Sequence, residues 1–208
     1  SATRLTEGWN SSSQCFAALK KASMTQFGSV NILGVYLDVC NEGTNGAIPD
    51  QPNYCADGQL TQWMNIPAVQ AALHVKTEHI PKGGWEACSN FVNHHYSRID
   101  TETSMIPHYK QILASGIKVL IYSGDNDAIV PYTGTRRWIK TLLTQGIEIV
   151  NDVHEWYVDT NGKQVGGWAT QYNNMTFTTV RDAGHMVPFM QPQRALYMFS
   201  NFIKNGKM

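Results

Sequence analysis

Two short stretches carry the side chains that chemistry would use. The first, "YSGDNDAIVP" from Tyr122 to Pro131, sets Asp125 and Asp127 on either side of Asn126; the second, "RDAGHMVP" from Arg181 to Pro188, holds His185. A histidine that takes a proton from a nucleophile needs a carboxylate on its other ring nitrogen, which fixes the tautomer and stabilises the imidazolium as it forms. Asp127 and His185, 58 residues apart, have the types for that work. Asp125 competes for the acid's place; in its other reading it hydrogen-bonds the amides of its own turn.

The flanking pattern says what positions them. "IKVLIYSG" is a short apolar run bounded by Gly116 and Gly124, which predicts a buried parallel strand, and "MTFTTVRDAG" predicts another. Both motifs therefore fall just past the carboxyl ends of strands, where loops converge in open α/β sheets. Gly124 and Gly184 are expected to allow tight turns or positive φ there. "TGTRRWIKTLLTQG" predicts a helix closed by Gly146, and Asn161-Gly162 within "HEWYVDTNGKQVGGWATQY" predicts a type I′ hairpin. "PQRALYMFSNFIKNG" predicts a terminal helix with Pro192 near its start and Gly206 after its end. Strand, helix, hairpin, strand and helix in that order are the second half of an α/β layer sandwich.

Upstream, the chain reads as irregular and locally helical. "SSQCFAALKKASMTQFG" has the spacing of a short amphipathic helix, and "NILGVYLDVCNEGTNGAIPDQPNYC" reads as a long loop. "MNIPAVQAALHV" predicts a helix capped by Asn65, with Pro67 in its first turn and an apolar face through Val69, Ala72 and Leu73. "SMIPHYKQILAS" predicts a further helix ending at Gly116.

At 208 residues and 42% apolar content the chain can build a buried core. Its 16 basic residues balance 16 acidic ones, so no net charge draws it to nucleic acid. No stretch approaches the roughly 20 apolar residues of a membrane span, and the first residues, "SATRLTEGWNSSSQ", hold no apolar signal-peptide core. Cys15, Cys40, Cys55 and Cys88 show neither CxxC spacing nor histidines at zinc-finger offsets, so disulfides are the better reading than a metal site. The sequons at Asn10 and Asn174 would accept glycans in a secretory route. Together these favour an oxidising compartment: secreted, or delivered to a lysosome or vacuole. The remaining histidines, His74, His79, His94, His95, His108 and His154, have no carboxylate partner suggested by sequence and read as surface or packing residues.

Acid before histidine is the chain order of α/β-hydrolases, whose serine comes first, on a G-x-S-x-G elbow. None of the serine-bearing stretches, from "WNSSSQ" to "MFSNF", has glycines two before and two after the serine. The nucleophile is expected on polypeptide upstream. Hydrolases of this kind place the acid as G-x-x-D before a short apolar run ending in proline, which selects Asp127, preceded by Gly124 and followed by "AIVP".

Taken in order, "VYLDVC", "YCADGQLTQWMNIPAVQAALHV", "WEACSNFV", "SMIPHYKQIL", "IKVLIYSGDNDAIVP", "KQVGGWATQY" and "FTTVRDAGHMVPFMQPQRAL" resemble the C-terminal half of a serine carboxypeptidase. The resemblance implies an α/β fold: the later part of an α/β-hydrolase core, with a mixed, mostly parallel sheet and flanking helices, over residues 101–208, preceded by the end of a helical insertion, or lid, over 1–100. It implies Asp127 and His185 as catalytic acid and base, Met186 as a wall of the pocket for the substrate's last residue, and no metal or organic cofactor. Met186 as ordinary core filler is the other reading. It further implies a disulfide between Cys40 and Cys55, and bonds from Cys15 and Cys88 to the other half. The resemblance also implies that Asp182 stands where the family more often has a small residue such as glycine.

The implied activity is release of C-terminal, apolar residues from peptides through an acyl-enzyme, at acid pH. The implied partners are the N-terminal half bearing the serine and peptide substrates, with a homodimer allowed. Acyltransferases and hydroxynitrile lyases of the same family are the alternative chemistry, and a non-catalytic stabilising glycoprotein subunit the alternative class.

Overall fold

The computed structural model describes residues 30–39, 56–158 and 163–208, with Ala17, Lys21 and Asn53 as single positions. It forms two units, one of Cys40–Tyr109 and one of Ser1–Val39 with Lys110–Met208.

The first unit is a run of short helices: α1 (Asp57–Met64), α2 (Pro67–Ala72), a 3-10 turn at Thr77–His79, α3 (Asn90–His95) and α4 (Arg98–Glu102). Ser89 and Ser97 cap α3 and α4, each hydroxyl accepting from the amide three residues on. Asn65 is not the cap of α2. The N-cap is Ile66, and Asn65 instead ends α1, its amide nitrogen donating to the carbonyls of Thr61 (2.8 Å) and Trp85 (3.0 Å) and its oxygen accepting from Trp85 N (2.7 Å). None of α2's residues is fully buried; of its expected apolar face Val69 is half-buried, and Ala72 and Leu73 are exposed. α1 carries little helical patterning in "DGQLTQWM", and Asn65 and Ile66 separate it from the proline that starts α2.

α5 (Ile106–Ala114) ends at Gly116, φ 79°, and leads into the sheet. Here lie β1 (Val119–Gly124), α6 (Tyr132–Leu143), β2 (Ile149–Tyr157), β3 (Val165–Tyr172), β4 (Met175–Val180), α7 (Val187–Met190) and α8 (Pro192–Asn205). The sheet order is β1-β4-β3-β2, with β1 parallel to β4 and the other two pairings antiparallel. The sheet is thus mixed, as expected, but in these strands the antiparallel pairings outnumber the parallel one. The reason is that β2, β3 and β4 follow one another through hairpins, which join only antiparallel neighbours.

Flanked on both sides, β4 is buried at all six positions. Its threonines are tolerated because their hydroxyls are bonded: Thr178 Oγ1 donates to Trp168 O at 3.1 Å, and Thr179 Oγ1 accepts from Trp168 N at 3.1 Å. The "GGW" of β3 has a packing cause. A Cβ on Gly166 would overlap the Trp156 indole, and one on Gly167 the Thr179 carbonyl; the space goes to the indole, whose Nε1 donates to Thr179 O at 3.1 Å.

α8 closes the core with Ala195 and Met198 against Trp156, Ala169, Val180, Ala183 and Val187. Each valine buried there contributes about 1.5–3 kcal/mol. Pro192 begins α8 and Gly206, φ 67°, ends it, as the sequence predicts. α6 buries Thr135, Ile139 and Leu142, one face of a helix, and stops before Gly146, φ 96°. β2 and β3 form the predicted hairpin, with Val158 N donating to Gln164 O at 3.0 Å; Asn161 and Gly162 lie outside the described residues. A second, unpredicted hairpin joins β3 to β4 through Asn173 and Asn174, the latter at φ 56°, a conformation asparagine tolerates.

Candidate active site

Parallel pairing of β1 with β4 places Gly124 opposite Val180, so the two strands end level and both chemical motifs leave from one edge. The loops stay together past the sheet. Asp125 N donates to Val180 O (3.2 Å) and Asn126 N to Ala183 O (2.9 Å). This closeness is what the glycines permit. A Cβ on Gly124 would overlap the carbonyl oxygens of Ala183 and Gly184, and one on Gly184 would overlap Leu33 O. Neither has a positive φ; the chain turns directly after Gly124, and at both glycines the close approach of backbone leaves no room for a side chain.

On this base the side chains meet. His185 Nδ1 lies 3.0 Å from Asp127 Oδ2, and Asp127 Oδ1 accepts from the amides of Ile129 (2.8 Å) and Val130 (3.1 Å). All three partners are N–H donors, which suits a carboxylate acting as acceptor only. The Asp127 side chain is 6% exposed and the His185 ring 39% exposed. With Nδ1 donating to the acid, Nε2 carries the lone pair and has no protein partner among the described residues. The contact thus joins a partly exposed imidazole to a buried carboxyl.

A third segment completes the scaffold. His185 N donates to Leu33 O (2.7 Å), Ala128 N to Ile32 O (3.2 Å) and Val35 N to Asn126 O (3.0 Å). Residues 32–35, read from sequence only as loop, therefore pin both the acid loop and the base loop. Their contribution is backbone carbonyl and amide, which no side-chain motif announces; Gly34, packed against Leu37 and Met190, was the available signal. On the other side Gly184 N donates to the Met190 thioether at 2.9 Å.

Asp125 is not the base's partner. The neighbouring backbone amides of Asp182, Ala183 and its own residue favour its ionised form, but they are outweighed. Burial first, and the neighbouring Asp182 carboxylate second, push its pKa above the ordinary value. Asp182 adopts φ 58°, a region that glycine enters at no steric cost.

Met186 is 40% exposed, and Phe189 of α7 and Ile129 and Val130 on the acid loop are exposed apolar residues too. Of the other histidines, His95 and His154 pair through Nδ1 with backbone carbonyls, of Phe91 and Asp152. Cys88 is an exposed free thiol; Cys15, Cys40, Cys55 and Asn10 lie outside the described residues. Asn174 is exposed, but its amide nitrogen donates to Leu113 O at 3.3 Å, and Thr176 of the same sequon is 1% exposed. Among the described residues no His, Cys, Asp and Glu cluster is placed to hold a metal, and no helix is long and apolar enough to cross a membrane.

Comparison with known proteins gives a consistent result. The family model described as serine carboxypeptidase matches residues 2–205. Serine carboxypeptidase-like 41 of Arabidopsis thaliana is 40% identical over 156 residues, covering 74% of this chain and 32% of that protein. Serine carboxypeptidase-like 22 of the same plant is 32% identical over 214 residues, covering 95% and 44%. The crystal structure of Kex1(delta)p, a prohormone-processing carboxypeptidase from Saccharomyces cerevisiae, superposes with a TM-score of 0.61 at 20% identity, over 93% of this chain and 40% of that one. At that identity the superposition speaks for the fold alone. The chain spans less than half the length of these curated relatives.

Proposed function

The chain belongs to the serine carboxypeptidase family, and from that premise we propose that it supplies the acid and base of a serine-type exopeptidase whose nucleophile lies on further polypeptide of the same enzyme. One observation supports this above the others: the 3.0 Å contact between His185 Nδ1 and Asp127 Oδ2, with no partner for Nε2 among the described residues.

In this reading Nε2 of His185 takes the proton of the serine hydroxyl as its oxygen attacks the carbonyl carbon of the substrate's last peptide bond. Asp127 holds the ring and stabilises the imidazolium. Collapse of the tetrahedral intermediate breaks the C–N bond, Nε2 returns the proton to the leaving amine, and the C-terminal residue departs. Water then attacks the acyl-enzyme, giving its proton to Nε2, and the carboxylic acid and free serine are regenerated. Met186, exposed beside the base, lines the pocket for an apolar terminal residue.

Residues 1–100 are read as the end of the lid insertion and 101–208 as core, with residues 30–39 packed beneath the site. Cys88, and Cys15 with it, are assigned to disulfides with the nucleophile-bearing half, and Cys40 is paired with Cys55. Asn10 and Asn174 are assigned as glycan acceptors of a secretory, lysosomal or vacuolar enzyme.

Release of the last residue from N-blocked dipeptides by the complete protein at mildly acidic pH tests the reading. Phenylalanine or leucine should be freed. Absence of release by a folded complete protein would contradict it.

A further inference from the structure

The turn that delivers His185 holds a non-glycine residue in the left-handed region, which aspartate enters more readily than most L-residues but at a higher cost than glycine. Asp182 sits at φ 58°, where the Cβ of an L-residue crowds the backbone and glycine does not. Its neighbours leave no slack: Ala183 is fully buried, and Gly184 is held between Leu33 O and the Met190 sulfur.

What holds Asp182 comes from α8. The Arg194 side chain is 15% exposed, and its Nη1 donates to three oxygens: the Arg181 carbonyl (2.9 Å), the Asp182 carboxylate (3.3 Å) and the Gln191 side chain (2.9 Å). Gln191 Nε2 in turn donates to the Asp182 carbonyl at 3.1 Å. Arg181 Nε lies 3.6 Å from the same carboxylate but is half exposed, and its contribution is correspondingly screened. One guanidinium, seated on the helix that closes the core, therefore grips both the side chain of the strained residue and the carbonyl before it.

We propose that Arg194 is a positioning residue of the site: by staking the Asp182 turn to α8, it sets the His185 ring against Asp127. The inference rests on the peptidase reading for its kinetic readout and on the geometry alone for its spectroscopic one.

The test is a rescue in the complete protein. Arg194→Met keeps the stem and removes the guanidinium; kcat should fall about tenfold with KM within about twofold, since misplacing a base costs rate more than binding. The low-field proton resonance of His185 Nδ1 should broaden or vanish. Adding Asp182→Gly, which reaches φ 58° without a Cβ, should bring kcat back to within about threefold of the parent and restore the resonance, because the turn then needs no stake. An Arg194→Met protein unchanged in both readouts, or a loss that Asp182→Gly does not repair, would overturn the proposal. Should Arg194→Met not fold, Arg194→Lys keeps the charge without the planar fork, and the same loss and rescue are required of it. A parent protein without peptidase activity would defeat the functional reading, and the resonance with its rescue would still decide this one.

Discussion

His185 Nδ1 stands 3.0 Å from Asp127 Oδ2 across 58 residues of sequence, because the strands that feed them pair in parallel with Gly124 opposite Val180. The contact is a product of sheet register. Each loop needs only a few residues to bring its side chain over the shared edge.

Asp127→Asn tests the acid directly. The amide can still accept from Ile129 and Val130 N, so the fold should survive, but it no longer holds His185 in the tautomer with a basic Nε2. Turnover in the complete protein should drop by about 10³–10⁴-fold, measured as kcat with folding checked by circular dichroism. A loss under tenfold would point to another acid.

Gly124→Ala tests the closeness of the loops. The added methyl meets the carbonyls of Ala183 and Gly184, which are backbone and cannot swing aside. Urea unfolding should show a loss of about 1–3 kcal/mol or more. An unchanged midpoint would mean that the two loops do not approach closely enough to exclude a methyl group.

Asp125 gives a pH signature. Burial and then Asp182 hold its pKa above the ordinary 3.8, so the folded protein keeps this proton more tightly than the unfolded chain. Its contribution to stability therefore falls as pH rises from the ordinary value through the raised one, and the cost is fully present above that window. Asp125→Asn removes the titration, and the unfolding midpoint should lose that part of its pH dependence. Parent and variant profiles of the same slope would contradict the assignment.

Met186→Glu addresses the pocket. Replacing an exposed apolar side chain beside His185 with a carboxylate should lower kcat/KM for substrates ending in leucine or phenylalanine and raise it for those ending in lysine or arginine. No change in the ratio between the two classes would remove Met186 from the pocket.

Much of this site was legible because its signals are local. A strand followed by an acid, a strand followed by a histidine, and α8 bracketed by Pro192 and Gly206 can each be read within a dozen residues. What stayed hidden depends on distant chain. The pinning by Ile32 and Leu33 is done by carbonyls, which every residue carries, so composition cannot mark it. Gly124 and Gly184 stood out as glycines, yet their cause is contact between loops rather than their own dihedrals. Asn65 resembles a cap in sequence, but Trp85, 20 residues on, claims its side chain. Asp182 gives no local sign of its left-handed backbone, and the arginine that grips it lies on the next long helix.

The central claim is that His185, oriented by Asp127, activates a serine elsewhere in the polypeptide. Fluorophosphonate labelling of the complete protein and of its His185→Ala variant tests it most directly. The parent should label on one serine outside these 208 residues, and the variant, equally folded, should label at least about a hundredfold more slowly. Labelling of the variant at the parent's rate, or no labelling of the folded parent, would contradict the account.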